Sequence, residues 1–483
     1  MTEFPTISDA LDGLRENKVT ATELLSRAIA TADALDEELG IYIDRYNQQA
    51  LETAGRADAV YAAGSQAGPL EGIPLGIKDI ISTIEGRTTA QSLVLDPAWG
   101  AGQGDAVVVQ RLRSAGGVIT GKTTTMEFAI GSPDWSKPFP IPKNPWNTDH
   151  WPGGSSSGTG NGVAAGAFLG GLGTDTGGSI RMPAAYCGIS GIKATFGRVP
   201  KSGCAPLGYS LDNIGPMARS ARDCAIMLQV LAGYDASDAC AVAEPVADYL
   251  SGLTGDLTGL RIGVDSLAQH VGEDGDPATV GLLDAAISVL AEAGATVTGV
   301  ELPFYPEVVA ATGVTLRSEA FAYHAPDFRD RWEDYFRSTR TGVGSAAAYS
   351  GADYVQAQRV RHVGKKAADA LFADFDVILT PTASTPAMSL EVVQALPGSW
   401  FRLNHTSYWN ALGNPALSVP MGFNAAGLPM GMQIVTKPFD EATAFKVGEA
   451  YQRTTGWHLA VPPVAGRYDV AVRDQGDLTD AAA

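Results

Sequence analysis

Apolar residues recur along this chain with two different periods. Leu24, Leu25, Ala28, Ile29 and Ala32 fall three or four apart or side by side, a spacing that lines one face of a helix. Thr20 stands three residues ahead of Glu23, the pair that closes a helix N-terminus by reciprocal hydrogen bonds. The pattern predicts amphipathic helices over residues 1–65. Short apolar runs bounded by glycine and proline then appear, in PLEGIPLGIKDII and SAGGVITGKT and later in GLRIGV, ATVTGVEL, FDVILTPT, PALSVPMGF and PMGMQIV. Such runs read as buried strands. Helical periods lie between them, at 279–294 and 439–455.

This interleaving predicts an α/β fold: one large domain with a mixed, mostly parallel central sheet covered by helices on both faces. Length alone suggests about three domains at ~150 residues each. No linker-like stretch divides the chain, so a single domain over 1–483 is predicted, with a helical segment to residue 65, a core over 66–220 and the rest of the sheet over 221–483. The glycines cluster from 153 to 191, read as a glycine-rich loop, a small-residue helix in NGVAAGAFLGG and a second glycine-rich loop. The C-terminal DLTDAAA is expected to fray.

Composition narrows the function. With 34 basic and 53 acidic residues the formal charge is −19, which repels phosphate backbones and anionic lipid. No nucleic-acid or membrane partner is expected on that ground. The six histidines and four cysteines show no metal-ligand spacing, so neither a metal nor another cofactor is expected. The N-terminus lacks the basic and apolar regions of a signal peptide, and no run reaches the ~18 apolar residues of a membrane span. A cytoplasmic location is expected.

GGVITGKT, residues 116–123, fits the phosphate-loop template letter for letter. That loop must converge its N–H groups on an anion, whereas Val118, Ile119 and Thr120 read as the strand itself, so a glycine-flanked core strand is the better reading.

Two serine-bearing segments carry the candidate chemistry. LGTDTGGSIRMP displays Ser179 behind two glycines with no histidine nearby, and GGSSSGTGNG offers Ser155, Ser156 and Ser157. A hydroxyl nucleophile needs a base within hydrogen-bond reach, and a lysine serves if burial lowers its pKa toward neutrality. Lys78 follows the apolar run GIPLGI and would be drawn inside with it. One of the three serines could relay a proton between Lys78 and Ser179.

GIPLGIKD, PGGSSSGTGNGVAAG and GTDTGGSIRMPAAYCGISGIKAT, in that order, resemble the amidase signature family, and a looser likeness extends over nearly the whole chain. The resemblance implies Ser179 as nucleophile, Ser155, 24 residues upstream, as a bridging serine held in a cis peptide, and Lys78 as base. The N–H groups of Thr176, Gly177, Gly178 and Ser179 are then the expected oxyanion hole. Asp175 and Arg181 are expected to brace the loop, and Ser156 to support it by a hydrogen bond.

Family members cleave carboxamides, anilides, some esters and some carbamates, so a small-molecule amide substrate and a monomer or homodimer are expected. The family also includes the glutaminase subunit of a tRNA-dependent amidotransferase, in which an aspartate sits shortly ahead of the stretch matching NALGNP. Here no acidic residue occurs from Val392 to Pro415, which favours a broad amidase, with urethane cleavage within its range, over a glutaminase. Met126, Phe128, Trp400, Phe401, Tyr408 and Trp409 are the expected aromatic-accepting pocket. A silent scaffold protein is the reading from another class, and intact Lys78, Ser155 and Ser179 argue against it.

Overall fold

The computed structural model describes residues 5–467, with the backbone alone at residues 399, 400 and 467. Among the described residues, eleven strands form one sheet. In chain order they are β1 (Tyr42–Arg45), β2 (Pro74–Lys78), β3 (Val118–Thr123), β4 (Gly170–Asp175), β5 (Ser190–Lys193), β6 (Asn213–Ala218), β7 (Arg261–Val264), β8 (Thr296–Gly299), β9 (Val377–Pro381), β10 (Ala416–Phe423) and β11 (Pro429–Thr436). Their spatial order is β1-β3-β2-β4-β6-β5-β10-β11-β9-β7-β8.

The sheet is mixed, as the strand-and-helix pattern predicts, but antiparallel pairs outnumber parallel ones six to four. The excess arises at the centre. There β10 and β11 form a hairpin around Asn424–Leu428, and β6 returns antiparallel between β4 and β5. The run in FDVILTPT pairs antiparallel with β11 on one side and parallel with β7 on the other. A hydrophobic run alone does not encode which direction a strand takes.

Helices cover both faces. The α-carbon of Gly170 faces Met227 and Ile7 while that of Gly171 faces Thr159, and successive strand residues point to opposite sides. The predicted capping box closes the helix Ala21–Leu39: Thr20 N–H donates to Glu23 Oε2 at 2.8 Å and Glu23 N–H to Thr20 Oγ1 at 3.1 Å. The short edge strand β1 interrupts the predicted N-terminal helices. The VITGKT part of GGVITGKT is β3, fully buried. DLTDAAA lies outside the described residues.

The glycine block departs from the loop-helix-loop reading. Its helix runs over Ser157–Ala165 and stops at Gly166, and β4 is inserted over Gly170–Asp175, ahead of the second glycine loop. Glycine suits this strand because its neighbours come close: a Cβ on Gly173 would lie 2.8 Å from Ser156 Oγ. Among the described residues, no helix is long and apolar enough to cross a membrane.

Candidate active site

Parallel pairing of β2 with β4 sets Ile77 beside Leu172. The C-terminal ends of these two strands therefore open at the same place, the usual position of a site in parallel sheets. Lys78 is the last residue of β2, and the chain leaves β4 through Thr176, Gly177 and Gly178 to Ser179. Between these ends lies the loop that carries Ser155, with a cis peptide between Gly154 and Ser155.

Lys78 is completely buried. Its Nζ lies 2.7 Å from Ser155 Oγ and 2.7 Å from Thr174 Oγ1, donating to both as an ammonium. Burial lowers its pKa from the ordinary lysine value to about 7, against the opposing pull of Cys204, Asp175 and Asp212. Thr174, a residue not singled out from the sequence, thus holds the amine from the second side. It is reached only because β4 runs beside β2.

Ser155 and Ser179 line one cavity of about 30 Å³, together with Gly177, Gly178, Trp151, Leu316, Phe401 and Asn404. Ser179 Oγ has no hydrogen-bond partner among the described residues. The two serine loops are stitched together by Ser156, whose N–H donates to the Ser179 carbonyl at 3.2 Å. Ser156 Oγ also accepts from Thr174 N–H at 3.2 Å and donates to the Thr174 carbonyl at 3.3 Å.

Asp175 and Arg181 form a fully buried, two-pronged ion pair, Nε to Oδ2 at 2.9 Å and an Nη to Oδ1 at 2.9 Å. Burial would raise the Asp175 pKa, but Arg181 and the Asn410 amide outweigh it and hold the carboxyl at about 2. Arg181 reaches further, donating to Asn410 Oδ1 at 2.6 Å, Gln433 Oε1 at 2.7 Å and the Thr406 carbonyl at 3.0 Å. Nothing in the sequence links Asn410 or Gln433 to this pair, since both lie more than 200 residues away.

The backbone donors divide. Gly178 N–H points back onto Asp175 Oδ1 at 2.8 Å, so it is not free for an oxyanion as expected from the sequence. The N–H groups of Thr176, Gly177 and Ser179 have no acceptor among the described residues. Gly178 itself has φ +133°, and a Cβ there would sit 1.9 Å from Thr406 Oγ1. Gly178→Ala is therefore expected to cost about 100-fold or more in amide turnover by displacing the loop. Amine release by a correctly folded variant at the wild-type rate would contradict this.

Among the described side chains, the expected aromatic pocket assembles only at Phe401. Tyr408 and Trp409 are fully buried in a core cluster with Tyr305 and Leu412, the Tyr408 hydroxyl donating to the Pro303 carbonyl at 2.9 Å. Met126 packs behind the Ser155 loop with Trp151 and Met182, and Phe128 against the His324 ring with centroids 4.4 Å apart. Neither lines the cavity. The Trp400 side chain lies outside the described residues. Instead, an outer cavity of about 420 Å³ shares Ile130, Gly131, Gly177, Leu316 and Phe401 with the inner one. It adds Val309, Arg317 and Pro397. Val309 and Arg317 come from the helix Tyr305–Asp330 and Pro397 from a turn after the helix Leu390–Ala395.

The Amidase family profile matches residues 23–445. A glutamyl-tRNA(Gln) amidotransferase subunit of Roseiflexus sp. (strain RS-1) is 40% identical over 484 aligned positions, covering 95% of this chain and 98% of that protein. Among solved structures, native peptide amidase from Stenotrophomonas maltophilia superposes with a TM-score of 0.80 at 30% identity, covering 93% of this chain and 96% of the other. The corresponding glutamyl-tRNA(Gln) amidotransferase subunit from Thermotoga maritima does so with 0.78 at 29% identity, covering 94% and 95%.

These relatives overturn the partner expectation of a small-molecule substrate alone, no nucleic acid and a monomer or homodimer. Its nucleic-acid part rested on charge, which reports direct affinity for phosphate backbones and not association with another protein; the small-molecule substrate and the monomer or homodimer rested on the breadth of substrates in the family. With its full-length likeness to these proteins and a fold shared with solved amidases, the chain belongs to the amidase signature family and is a hydrolase of carbon–nitrogen bonds in amides.

Proposed function

We propose that the protein releases ammonia from the side-chain amide of glutamine as the glutaminase subunit of a tRNA-dependent amidotransferase, using Ser179, Ser155 and Lys78. The chemistry rests on one observation, the buried Lys78 amine 2.7 Å from Ser155 Oγ at the cavity that holds Ser179. The substrate reading is supported by the 40% identity, over almost the full length, to a protein named as an amidotransferase subunit.

Neutral Lys78 accepts the Ser155 proton while Ser155 accepts that of Ser179. Ser179 Oγ then bonds to the amide carbon. Apo hydrogen bonds in such relays commonly tighten only when substrate is bound. The free N–H groups of Thr176, Gly177 and Ser179 receive the oxyanion, a contribution of roughly 3–4 kcal/mol per donor in comparable sites. On collapse the C–N bond breaks, the same relay returns a proton to the leaving nitrogen, and water hydrolyses the acyl-enzyme.

A second reading has its own support. Among the described residues, the lining of both cavities includes Ile130, Val309, Leu316, Pro397 and Phe401 and no acidic side chain. A glutamine ammonium would lack a carboxylate there, whereas an apolar amide would fit. Release of ammonia or amine is therefore to be measured from glutamine, an aliphatic amide, a 4-nitroanilide and an aryl carbamate, with and without the other subunits of a bacterial amidotransferase. We expect glutamine to be the substrate and partner addition to raise its rate. Turnover of the anilide or carbamate with none of glutamine would instead establish a stand-alone amidase.

A further inference from the structure

Thr406 lies 227 residues beyond Ser179 in the chain, yet it packs directly on the loop that precedes the nucleophile. Its Oγ1 donates to the Gly177 carbonyl at 2.6 Å. The hydroxyl has one proton and a second acceptor in reach, Asn404 Oδ1 at 2.8 Å. The Gly177 contact is the shorter, and that carbonyl has no other donor among the described residues. Asn404 Oδ1 keeps the Thr406 N–H at 3.2 Å.

The next atom along the same peptide is also held. Gly178 N–H donates to Asp175 Oδ1 at 2.8 Å. The peptide between Gly177 and Gly178 is thus pinned at both polar ends, while the N–H groups on either side of it, those of Gly177 and Ser179, stay unbonded at the cavity. We propose that Thr406 is a positioning residue for the oxyanion-binding donors, its hydroxyl holding the Gly177–Gly178 peptide turned away from the substrate so that the two flanking N–H groups face it. This rests on Ser179 being the nucleophile, as proposed above.

Thr406 is itself held rigidly. Its carbonyl accepts from Arg181, which also grips Asp175. Its neighbour His405 bridges Tyr305 at 2.7 Å and Ser384 at 2.6 Å, and His405 N–H donates to the Thr382 carbonyl at 3.0 Å. Arg181, Asp175, Gly178, Gly177 and Thr406 therefore close a ring of contacts around one peptide unit. A side chain fixed in this way places backbone donors without a reorganisation cost during the reaction. The space it fills also makes residue 178 a glycine, since a Cβ there would lie 2.7 Å from Thr406 Cβ.

The test uses a serine-directed fluorophosphonate on the full chain, because bonding of Ser179 Oγ to phosphorus with loss of fluoride develops negative charge on a phosphoryl oxygen that the same backbone donors would receive, whatever the natural substrate. Thr406→Val removes the hydroxyl and keeps the shape, Thr406→Ala removes it with less packing demand, and Thr406→Ser keeps it. We expect Val and Ala to slow the maximal labelling rate at least tenfold with the half-saturating probe concentration nearly unchanged. Ser should recover to within about threefold of wild type. Either hydroxyl-free variant labelling within threefold of wild type overturns the proposal, as does a Ser variant as slow as Val. Labelling that survives Ser179→Ala removes the nucleophile assignment itself, a failure separate from that of Thr406.

Discussion

Lys78→Met is expected to reduce amide turnover by about 10⁴-fold or more, and Ser179→Ala by as much, because members of one proton relay fail together. Methionine fills nearly the same volume and needs no hydrogen bond. It also removes the cost of desolvating an amine, so the melting temperature should not fall. Activity lost at undiminished stability is the signature of a base rather than of a core residue. A well-folded Lys78→Met enzyme that retained more than a tenth of its turnover would end the assignment.

The same residue sets a pH dependence. Burial lowers the pKa of its amine to about 7 in the folded protein, and the proposed relay uses the neutral form. With chemistry rate-limiting, turnover should rise about tenfold from pH 6 to pH 8 and level off above. The folding linkage has the matching sign. The folded pKa lies below the ordinary lysine value of 10.5, so between these pH values the unfolded chain binds a proton that the folded one does not, and the Lys78 contribution to stability increases with pH. A turnover profile flat from pH 5 to pH 9 would exclude Lys78 as the titrating base.

Asp175→Asn is expected to cost about 3–5 kcal/mol of stability, since it leaves the Arg181 cation buried without its counter-charge. It should also lower the melting temperature by several degrees. Activity should fall with it, because Asp175 Oδ1 is what Gly178 N–H and the Arg181 guanidinium share. Adding Arg181→Met is expected to return part of the stability and none of the activity. Calorimetry and amine release on the four members of this cycle check both statements. Equal stability of Asp175→Asn and wild type would mean that the pair is not the brace it is taken for.

The legible part of the site was local. Ser179, Ser155 and Lys78 each stand in a short motif whose glycines and apolar run can be read by eye, and the geometry brings Lys78 to Ser155 at a strand end. The capping box at Thr20 and Glu23 is equally local, with both bonds spanning three residues. In the glycine block it was β4 that the loop-helix-loop reading missed, because glycine ordinarily marks a turn, whereas in β4 it makes room for Ser156 and the β2 backbone.

The pocket was not legible for a different reason. Tyr408, Trp409, Met126 and Phe128 are aromatic or large and lie near the right segments, but which side of a short helix or turn faces a cavity depends on what packs on the other side. Tyr305 and Phe372 take up Tyr408 and Trp409, leaving Leu316 and Ile130 to line the mouth. Likewise Thr174, Asn410, Gln433 and Thr406 carry no sequence signal of their roles.

By itself, then, the sequence determined the candidates for the chemistry: which serines and which lysine are available, the glycine that the loop requires, and the α/β alternation, all set by interactions a few residues long. Tertiary structure alone decided strand direction, the burial that brings Lys78 to about 7, which backbone N–H groups remain free, and which side chains line the cavities. Each of these depends on contacts between segments tens to hundreds of residues apart, where neither periodicity nor motif spacing carries information.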